Sequence, residues 1–434
     1  MILSCHMREP LRLDDDFVEF LDLIENSDES IFLTGKAGTG KSTLLQLFRK
    51  TTQKKCIVLA PTGVAALNVK GQTIHSFFNF APRILQPEDF KRARNPAFFR
   101  KIDALIIDEI SMVRADVLDN IDYALRLNRD DERPFGGVQM ILIGDLYQLP
   151  PVVSSPQEKI YFSTEYESPY FFSAKVFEAE FNLDYYELTQ VYRQDERRFI
   201  NLLEAIRSRD VDREILEEIN ERVGAEPEPE IDYITLTARN AVADTINKQR
   251  LEKLDGYSMA FQAEVSGQFA DRLFPTEAIL QLKVGAQVMF VKNDPQKRFV
   301  NGSIGKIVEF GQDKISVALT SQETPLVVEV ERMEWEIVRY SPQMRFGQIE
   351  TIVAGTFTQF PLKLAWAITV HKSQGKTFDH VVIDLQGGAF EHGQTYVAMS
   401  RCRSLQGIIL NHPVRYQDVM IDERILDFQR DLCR

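Results

Sequence analysis

Short apolar runs recur along the chain, each closed by turn residues or followed by a stretch of helical period. In the first half they are Ile31–Leu33, Ile57–Ala60, Leu105–Ile107 and Met140–Ile143. Continuous rather than alternating runs suit strands covered on both faces, as in a parallel sheet. With helical patterns between them they predict βαβ units and an α/β fold. Ahead of the first run, residues 14–26 predict an acidic amphipathic helix, with Phe17, Phe20, Leu21 and Ile24 at helical spacing. A second set, Tyr233–Leu236, Leu364–Val370, Val381–Leu385 and Gly407–Leu410, predicts a second α/β unit. Between about 256 and 360 the pattern changes to short β-branched or aromatic segments punctuated by Gly, Asn, Asp and Pro. That predicts a small antiparallel β domain inserted into the second unit. The stiff, charged EPEPE at 226–230 reads as a surface connection.

Composition narrows the class. At roughly 150 residues per domain, 434 residues make about three domains. No apolar run reaches the ~18–20 residues of a membrane helix, so no membrane role is expected. Cys5, Cys56, Cys402 and Cys433 form no Cys-x-x-Cys pair, which argues against a zinc ribbon or a disulfide framework. Reduced thiols and a cytoplasmic setting, bacterial or phage, are the expectation. The start, MILSCHMREP, lacks the basic end and apolar stretch of a secretory signal and turns acidic too soon for a transit peptide. It fits a natural terminus or a trimmed chain equally. The net charge of −13 argues against coating nucleic acid with the whole surface. A local basic groove stays open, because screening limits each charge to about 10 Å.

The strongest chemical signal is Gly35-Lys-Ala-Gly-Thr-Gly-Lys-Ser42, after the run IFLT and before the helical stretch STLLQLFRK. Its glycines let backbone N–H groups close around phosphate oxygens at a helix N-terminus. Gly35, Ala37, Gly38, Thr39, Gly40, Lys41, Ser42 and Thr43 are the expected nucleotide contacts. Lys41 would reach the β- and γ-phosphates and Ser42 would ligate Mg²⁺. A glycine-rich turn with a chance lysine would not come with both flanks. LIIDE at 105–109 is the matching acidic strand end. Asp108 would hold Mg²⁺, directly or through water, and Glu109 would polarise the attacking water; in isolation the pair also reads as helix capping. GDLYQLPP at 144–151 follows another strand, and Gln148 there could sense the γ-phosphate; as a bare motif it is only a turn.

Arg193 in LTQVYRQ and Arg401 in YVAMSR are candidate arginine fingers, although a lone arginine is more often a surface ion pair. HKSQG at 371–375 follows the apolar LAWAITV and can bridge phosphate and nucleic-acid backbone, or simply be a solvated loop. TIHSFF at 73–78 interleaves a histidine with aromatics, which suits base stacking or core packing for Phe77 and Phe78. The six histidines are scattered, and neither His75 nor His371 has a ligand-spaced partner.

In this order, the stretches FLTGKAGTGKS, LAPTGVAALNVKGQTIHSFF, IIDEISMV, RPFGGVQMILIGDLYQLPPV, LTQVYRQ, VNGSIG, LAWAITVHKSQGKTFDHVVIDL and YVAMSRCRSLQG resemble superfamily 1B helicases. They look most like the petite-integration-frequency (PIF-type) DNA helicase family, from about residue 31 to 410. The resemblance implies two RecA-like P-loop NTPase domains with ATP and Mg²⁺ in the cleft between them. The expected bounds are 1–175 for the first domain, 176–255 and 361–434 for the second, and 256–360 for an SH3-like β insertion. A short wedge protrusion would span about 63–82. It further implies 5′→3′ translocation on single-stranded DNA with unwinding of duplex or forked DNA, by a protein expected to be monomeric. Lys41, Ser42, Asp108, Glu109, Gln148, Arg193 and Arg401 match nucleotide-handling positions, and Gly375 a position near the γ-phosphate. Thr62, Gly63, His75, Phe77, Phe78, Thr369, His371, Lys372 and Ser373 fall in motifs that meet DNA in the family. One departure stands out. Family members usually carry a glutamine upstream of the phosphate loop to read adenine, but the first glutamine here is Gln46, and Asp16 is the only nearby substitute offered.

Two other classes compete with the motor. A P-loop module that clamps single strands without unwinding would show no ATP-dependent strand displacement. A small-molecule P-loop kinase would leave the second set of strands and both distal arginines unexplained.

Overall fold

A computed structural model describes residues 15–432 apart from 82, 87–88, 154, 180, 195, 229–230, 320–325 and 346–347. The first apolar runs form a parallel sheet of β1 (Ser30–Gly35), β2 (Cys56–Ala60), β3 (Gln72–Thr73), β4 (Ala104–Ile107), β5 (Gln139–Ile143) and β6 (Leu183–Leu188), in the order β3-β2-β4-β5-β1-β6. β1, β4 and β5 are buried along their whole length, as continuous apolar runs require. The acidic helix Asp15–Asn26 lies over one face, burying Phe17, Phe20 and Ile24.

The second sheet opens with β7 (Ile234–Thr237). The chain then leaves it for β8 (Met259–Gln262), β9 (Glu264–Gly267), β10 (Ile279–Leu282), β11 (Gln287–Phe290), β12 (Ile304–Phe310), β13 (Ile315–Leu319), β14 (Leu326–Val330), β15 (Met333–Arg345), β16 (Gln348–Gln359) and β17 (Leu362–Leu364). It returns with β18 (Ala367–Thr369), β19 (Val381–Asp384) and β20 (Ile408–Leu410), giving a parallel sheet of order β18-β7-β19-β20. The inserted strands form an antiparallel five-stranded sheet, β14-β13-β12-β11-β17, beside the long β15–β16 hairpin with β9. Two parallel sheets joined this way are the two RecA-like lobes.

Three expected boundaries move. β6 lies beyond the expected end of the first lobe at 175, yet it pairs along its length with β1. The expected strand Leu364–Val370 divides: Leu362–Leu364 joins the insertion against β11, and only Ala367–Thr369 joins the second sheet. The end of the second lobe is not wholly its own. Helix Glu423–Leu432 crosses back, and Phe428 stacks on Phe172 at 4.5 Å and packs near Phe32 of β1 at 6.2 Å. Gln429 accepts from the Tyr147 hydroxyl (2.5 Å) and donates to that of Tyr185 on β6 (2.8 Å).

The wedge expected over about 63–82 is not one projecting piece. Residues 72–73 form the edge strand β3, and only the helix Ile74–Phe78 leads away from it. β3 covers just Leu59 and Ala60 of β2. The exposed edge at Val58 is closed by the insertion: the Tyr340 hydroxyl accepts from the Val58 N–H (2.8 Å) and donates to its carbonyl (3.2 Å).

Candidate functional site

The phosphate loop runs from the end of β1 into the helix Lys41–Thr51, so its amides gather at a helix N-terminus. Gly38 adopts φ 88°, and a Cβ there would lie 2.5 Å from the Arg193 Cβ. The loop therefore needs glycine both for its backbone and for its neighbour. Lys41 donates to the carbonyls of Gly35 (2.6 Å) and Lys36 (3.1 Å). Burial holds its ammonium below the ordinary lysine range, with Asp145 and Glu109 opposing that shift.

Asp108 and Glu109 leave β4 together. Glu109 sits at φ 54°, ψ 45°, a left-handed conformation that costs a non-glycine residue and is held by the turn Ile110–Met112. Burial and the neighbouring Glu109 raise the Asp108 carboxyl to about 7. Burial likewise raises Glu109, while Lys41 and Arg401 pull it back. The oxygen donors Ser42 and Asp108 suit a hard cation such as Mg²⁺, which would relieve the cost of a buried carboxylate. Among the described residues no cluster of three or more His, Cys, Asp or Glu could hold a metal, so such an ion would lean on phosphate and water for its remaining ligands.

Lys41, Ser42 and Glu109 face a cavity of about 400 Å³, with Asp108 outside its lining. Its walls carry Ala37, Gly38, Thr39, Gly40, Lys41, Ser42, Thr43, Glu109 and Gln148 from the first lobe. Arg193, Gly375 and Arg401 close it from the other side. Arg401 is 1% exposed, and donates to the Val397 carbonyl (2.9 Å) and the Ser400 hydroxyl (2.8 Å). Arg193 donates to the Ser400 carbonyl (3.1 Å). Burial, with Arg401 beside it, pulls Arg193 down to about 9, and burial pulls Arg401 to about 10. Three cations, Arg401 buried and Lys41 and Arg193 half-buried, are each held below their ordinary range and mark a site short of negative charge.

Several cavity groups were not foreseen. Tyr192 and Arg403 line the cavity beside the two candidate fingers. Tyr396 of the second lobe accepts from the Ala37 N–H of the phosphate loop at 2.9 Å. Asp145 is buried behind Gln148 and accepts from its Nε2 at 3.1 Å. Tyr192 was legible as the neighbour of Arg193; the others come from tertiary contact alone. Asp16, offered for adenine, accepts from the Thr189 hydroxyl at 3.1 Å.

The candidate strand contacts fall into two groups. Thr62 and Thr369 cap the helices Gly63–Asn68 and Val370–Ser373, and Gly63 lies against Leu273 of the insertion. His371 lies 3.4 Å from Glu391, and burial lowers both His371 and Lys372 from their ordinary values. Ser373 is fully buried, with its hydroxyl on the Val370 carbonyl (2.6 Å), so it shapes the turn and is withdrawn as a strand contact. On the first lobe, Phe77 and Phe78 pack edge to face at 4.8 Å, with Phe77 against Phe99 and Tyr340. His75 meets Phe80 edge-on at 6.5 Å. Phe77, Phe78, Phe80 and Phe90 line a groove of about 570 Å³ rimmed by Lys91 and Arg94.

Comparison with known proteins agrees with this geometry. Residues 16–216 match the PIF1-like helicase family, 271–310 the DNA helicase Pif1 2B domain, and 364–408 the UvrD-like helicase C-terminal domain. The human ATP-dependent DNA helicase PIF1 is 35% identical over 425 residues, 94% of this chain but 62% of that protein. The chain thus spans under two thirds of the human relative's length. Bacteroides Pif1 in complex with ADP-AlF4 is 35% identical with a TM-score of 0.88, covering 97% of both chains. Bacteroides Pif1 with ADP-AlF3 and single-stranded DNA is 36% identical with a TM-score of 0.70, again covering 97% of both. A two-lobed cleft of this build, on a sequence alike along nearly its whole length, makes the chain a member of the Pif1-like helicase family.

Proposed function

We propose that the chain is an ATP-dependent DNA helicase that moves 5′→3′ along single-stranded DNA and unwinds duplex or forked DNA ahead of it. One observation carries this reading. The triphosphate-sized cavity is built by two lobes, with the loop and Glu109 on one and two underneutralised arginines on the other. A triphosphate entering there neutralises all three cations and draws the lobes together; its hydrolysis weakens that hold. Lys41 would leave its loop carbonyls for the phosphates. Ser42 and Asp108 would hold Mg²⁺, which supplies charge neutralisation of the phosphate oxygens. Glu109 would take up a proton from the attacking water as its oxygen bonds the γ-phosphorus and ADP departs with the bridging oxygen. Arg193 and Arg401 would stabilise the charge spread over the transferring group.

Strand contacts distributed over both lobes convert that closure into movement. Thr62, Gly63, His75 and the Phe77–Phe78 turn belong to the first lobe, and Thr369, His371 and Lys372 to the second. The ligands named for the Bacteroides relatives, an ADP–aluminium fluoride complex and single-stranded DNA, are those this reading requires.

Matched partial duplexes with 5′ or 3′ tails, with and without ATP, test it. Strand release is expected only from the 5′-tailed duplex and only with ATP. ATP turnover indifferent to DNA would favour the kinase class. Tail binding without strand release would favour the clamp.

A further inference from the structure

The cavity explains Lys41, the two carboxylates and both arginines, but not a buried ion pair directly behind Gln148. Asp145 follows β5, and its side chain has no solvent exposure. One carboxylate oxygen accepts from the Tyr147 N–H (3.2 Å), and the other from Gln148 Nε2 (3.1 Å). The opposing charge comes from Arg207, in the last turn of the helix Arg197–Ser208, whose side chain is 9% exposed. Its Nη2 lies 3.5 Å from Asp145 and 3.8 Å from Glu187, and its guanidinium carbon lies 4.0 Å from the centre of the Tyr147 ring. That helix packs on the second lobe, against the helix Gln394–Met399, so the pair spans the seam between lobes.

The geometry decides which end of the Gln148 amide serves the nucleotide. Its Nε2 is engaged by Asp145, which leaves the Oε1 acceptor for the cavity. An acceptor suits the hydrogens of an attacking water; a donor would suit a phosphate oxygen. The surroundings keep the amide this way round. Gly393 of the second lobe presses on the backbone of this turn, where a Cβ would lie 2.5 Å from the carbonyl oxygens of Tyr147 and Gln148. His392 donates to the Leu146 carbonyl at 2.8 Å. The Arg207 Nε, meanwhile, is buried without an acceptor among the described residues. Stability alone selects against such an orphan.

We propose that Arg207 is a positioning residue for ATP hydrolysis. It is a strut from the second lobe that fixes Asp145, and through Asp145 turns Gln148 so that Oε1 orients the attacking water. Hydrolysis is then competent only while the lobes are joined at this seam. Arg207 does not line the nucleotide cavity. This deepens the helicase reading and rests on it.

The test is steady-state ATP turnover with saturating single-stranded DNA, together with binding of a fluorescent ADP analogue, for wild type, Arg207→Ala, Gln148→Ala and the double variant. Arg207→Ala is expected to lower kcat on the order of 10²-fold, the scale of a misplaced reacting group, while analogue affinity stays within about threefold. The double variant is expected to turn over within about twofold of Gln148→Ala, because both changes disable one device. A near-wild-type kcat in Arg207→Ala overturns the strut. So does a double variant slower than Gln148→Ala by the whole Arg207 factor. If melting shows that Arg207→Ala is unfolded, Arg207→Gln keeps the bulk without the charge and is held to the same outcomes. A wild-type chain that does not hydrolyse ATP would sink the helicase reading itself, whereas wild-type turnover in Arg207→Ala sinks the strut alone.

Discussion

At the scale of single residues, Lys41 rests on the carbonyls of its own loop while Arg193 and Arg401 stand across the cavity from it. The phosphate loop, Asp108–Glu109 and Gln148 each sit in a short stretch whose residue order carries the chemistry, and all but Gly35, Lys36 and Asp108 line the cavity. Arg193 and Arg401 were readable only as candidates, since a lone arginine has no local signature; burial at the seam sets them apart. Asp145, Arg207 and Tyr396 act through partners far away in sequence, and no spacing could have paired them. Two predictions belong here. Lys41→Ala should reduce ATP hydrolysis to background while single-strand binding persists, because in the proposed mechanism the loop ammonium is the cation that would reach the phosphates. Hydrolysis and strand binding measured side by side check this, and near-normal turnover refutes it. Arg401→Ala should bind nucleotide but turn over about 10³-fold more slowly, the scale of an arginine finger. Lost nucleotide affinity with unchanged single-turnover hydrolysis would assign Arg401 to binding instead.

Among elements, buried strands were legible because both their faces are apolar. β6 was not. It is an edge strand with half-exposed Tyr and Glu positions, so LDYYEL lacks the continuous run that flagged its neighbours. The helix Glu423–Leu432 is amphipathic in either setting; only the aromatic cluster around Phe428 shows that its apolar face meets the first lobe. The turn 391–393 carries a prediction in pH. His392 donates from Nε2 to the Leu146 carbonyl and accepts the Asp422 N–H at Nδ1 (3.1 Å), so the neutral ring serves both neighbours. Burial keeps its pKa below the ordinary histidine value, with Leu146, Asp422 and Asp145 opposing. The unfolded chain then takes up this proton at a higher pH than the folded one. Stability from this contact is full above about pH 6.5 and is lost as pH falls toward the folded pKa. Wild type should lose more stability than His392→Gln between pH 7.5 and 5.5, by at most about 1.4 kcal/mol, read from thermal or urea unfolding. Parallel losses in the two proteins would remove His392 from the account.

For the whole molecule the puzzle is charge: a chain of net −13 for which we propose a polyanionic partner. The answer is separation. Residues 83–101 carry six basic side chains against two acidic ones, and three of them, Lys91, Arg92 and Arg94, border the aromatic groove at Phe80 and Phe90. Arg92 and Arg100 are both tied to Asp130, so their charge is largely answered within the protein. Lys91 and Arg94 stand outside those pairs, exposed at the rim, where a phosphate backbone can meet them while bases face the rings. Repulsion from the acidic remainder is screened beyond about 10 Å, so added salt weakens the attraction faster than it relieves the repulsion. Affinity for forked DNA should therefore fall steeply with salt. In Lys91→Glu/Arg94→Glu the slope of log affinity against log salt should flatten by about 0.7 for each single-strand phosphate that the protein no longer neutralises. Binding isotherms at four or five salt concentrations, wild type against variant, read this directly. A reduced affinity with an unchanged slope would mean that the rings alone hold the strand there, and an unchanged affinity would place the strand on another face.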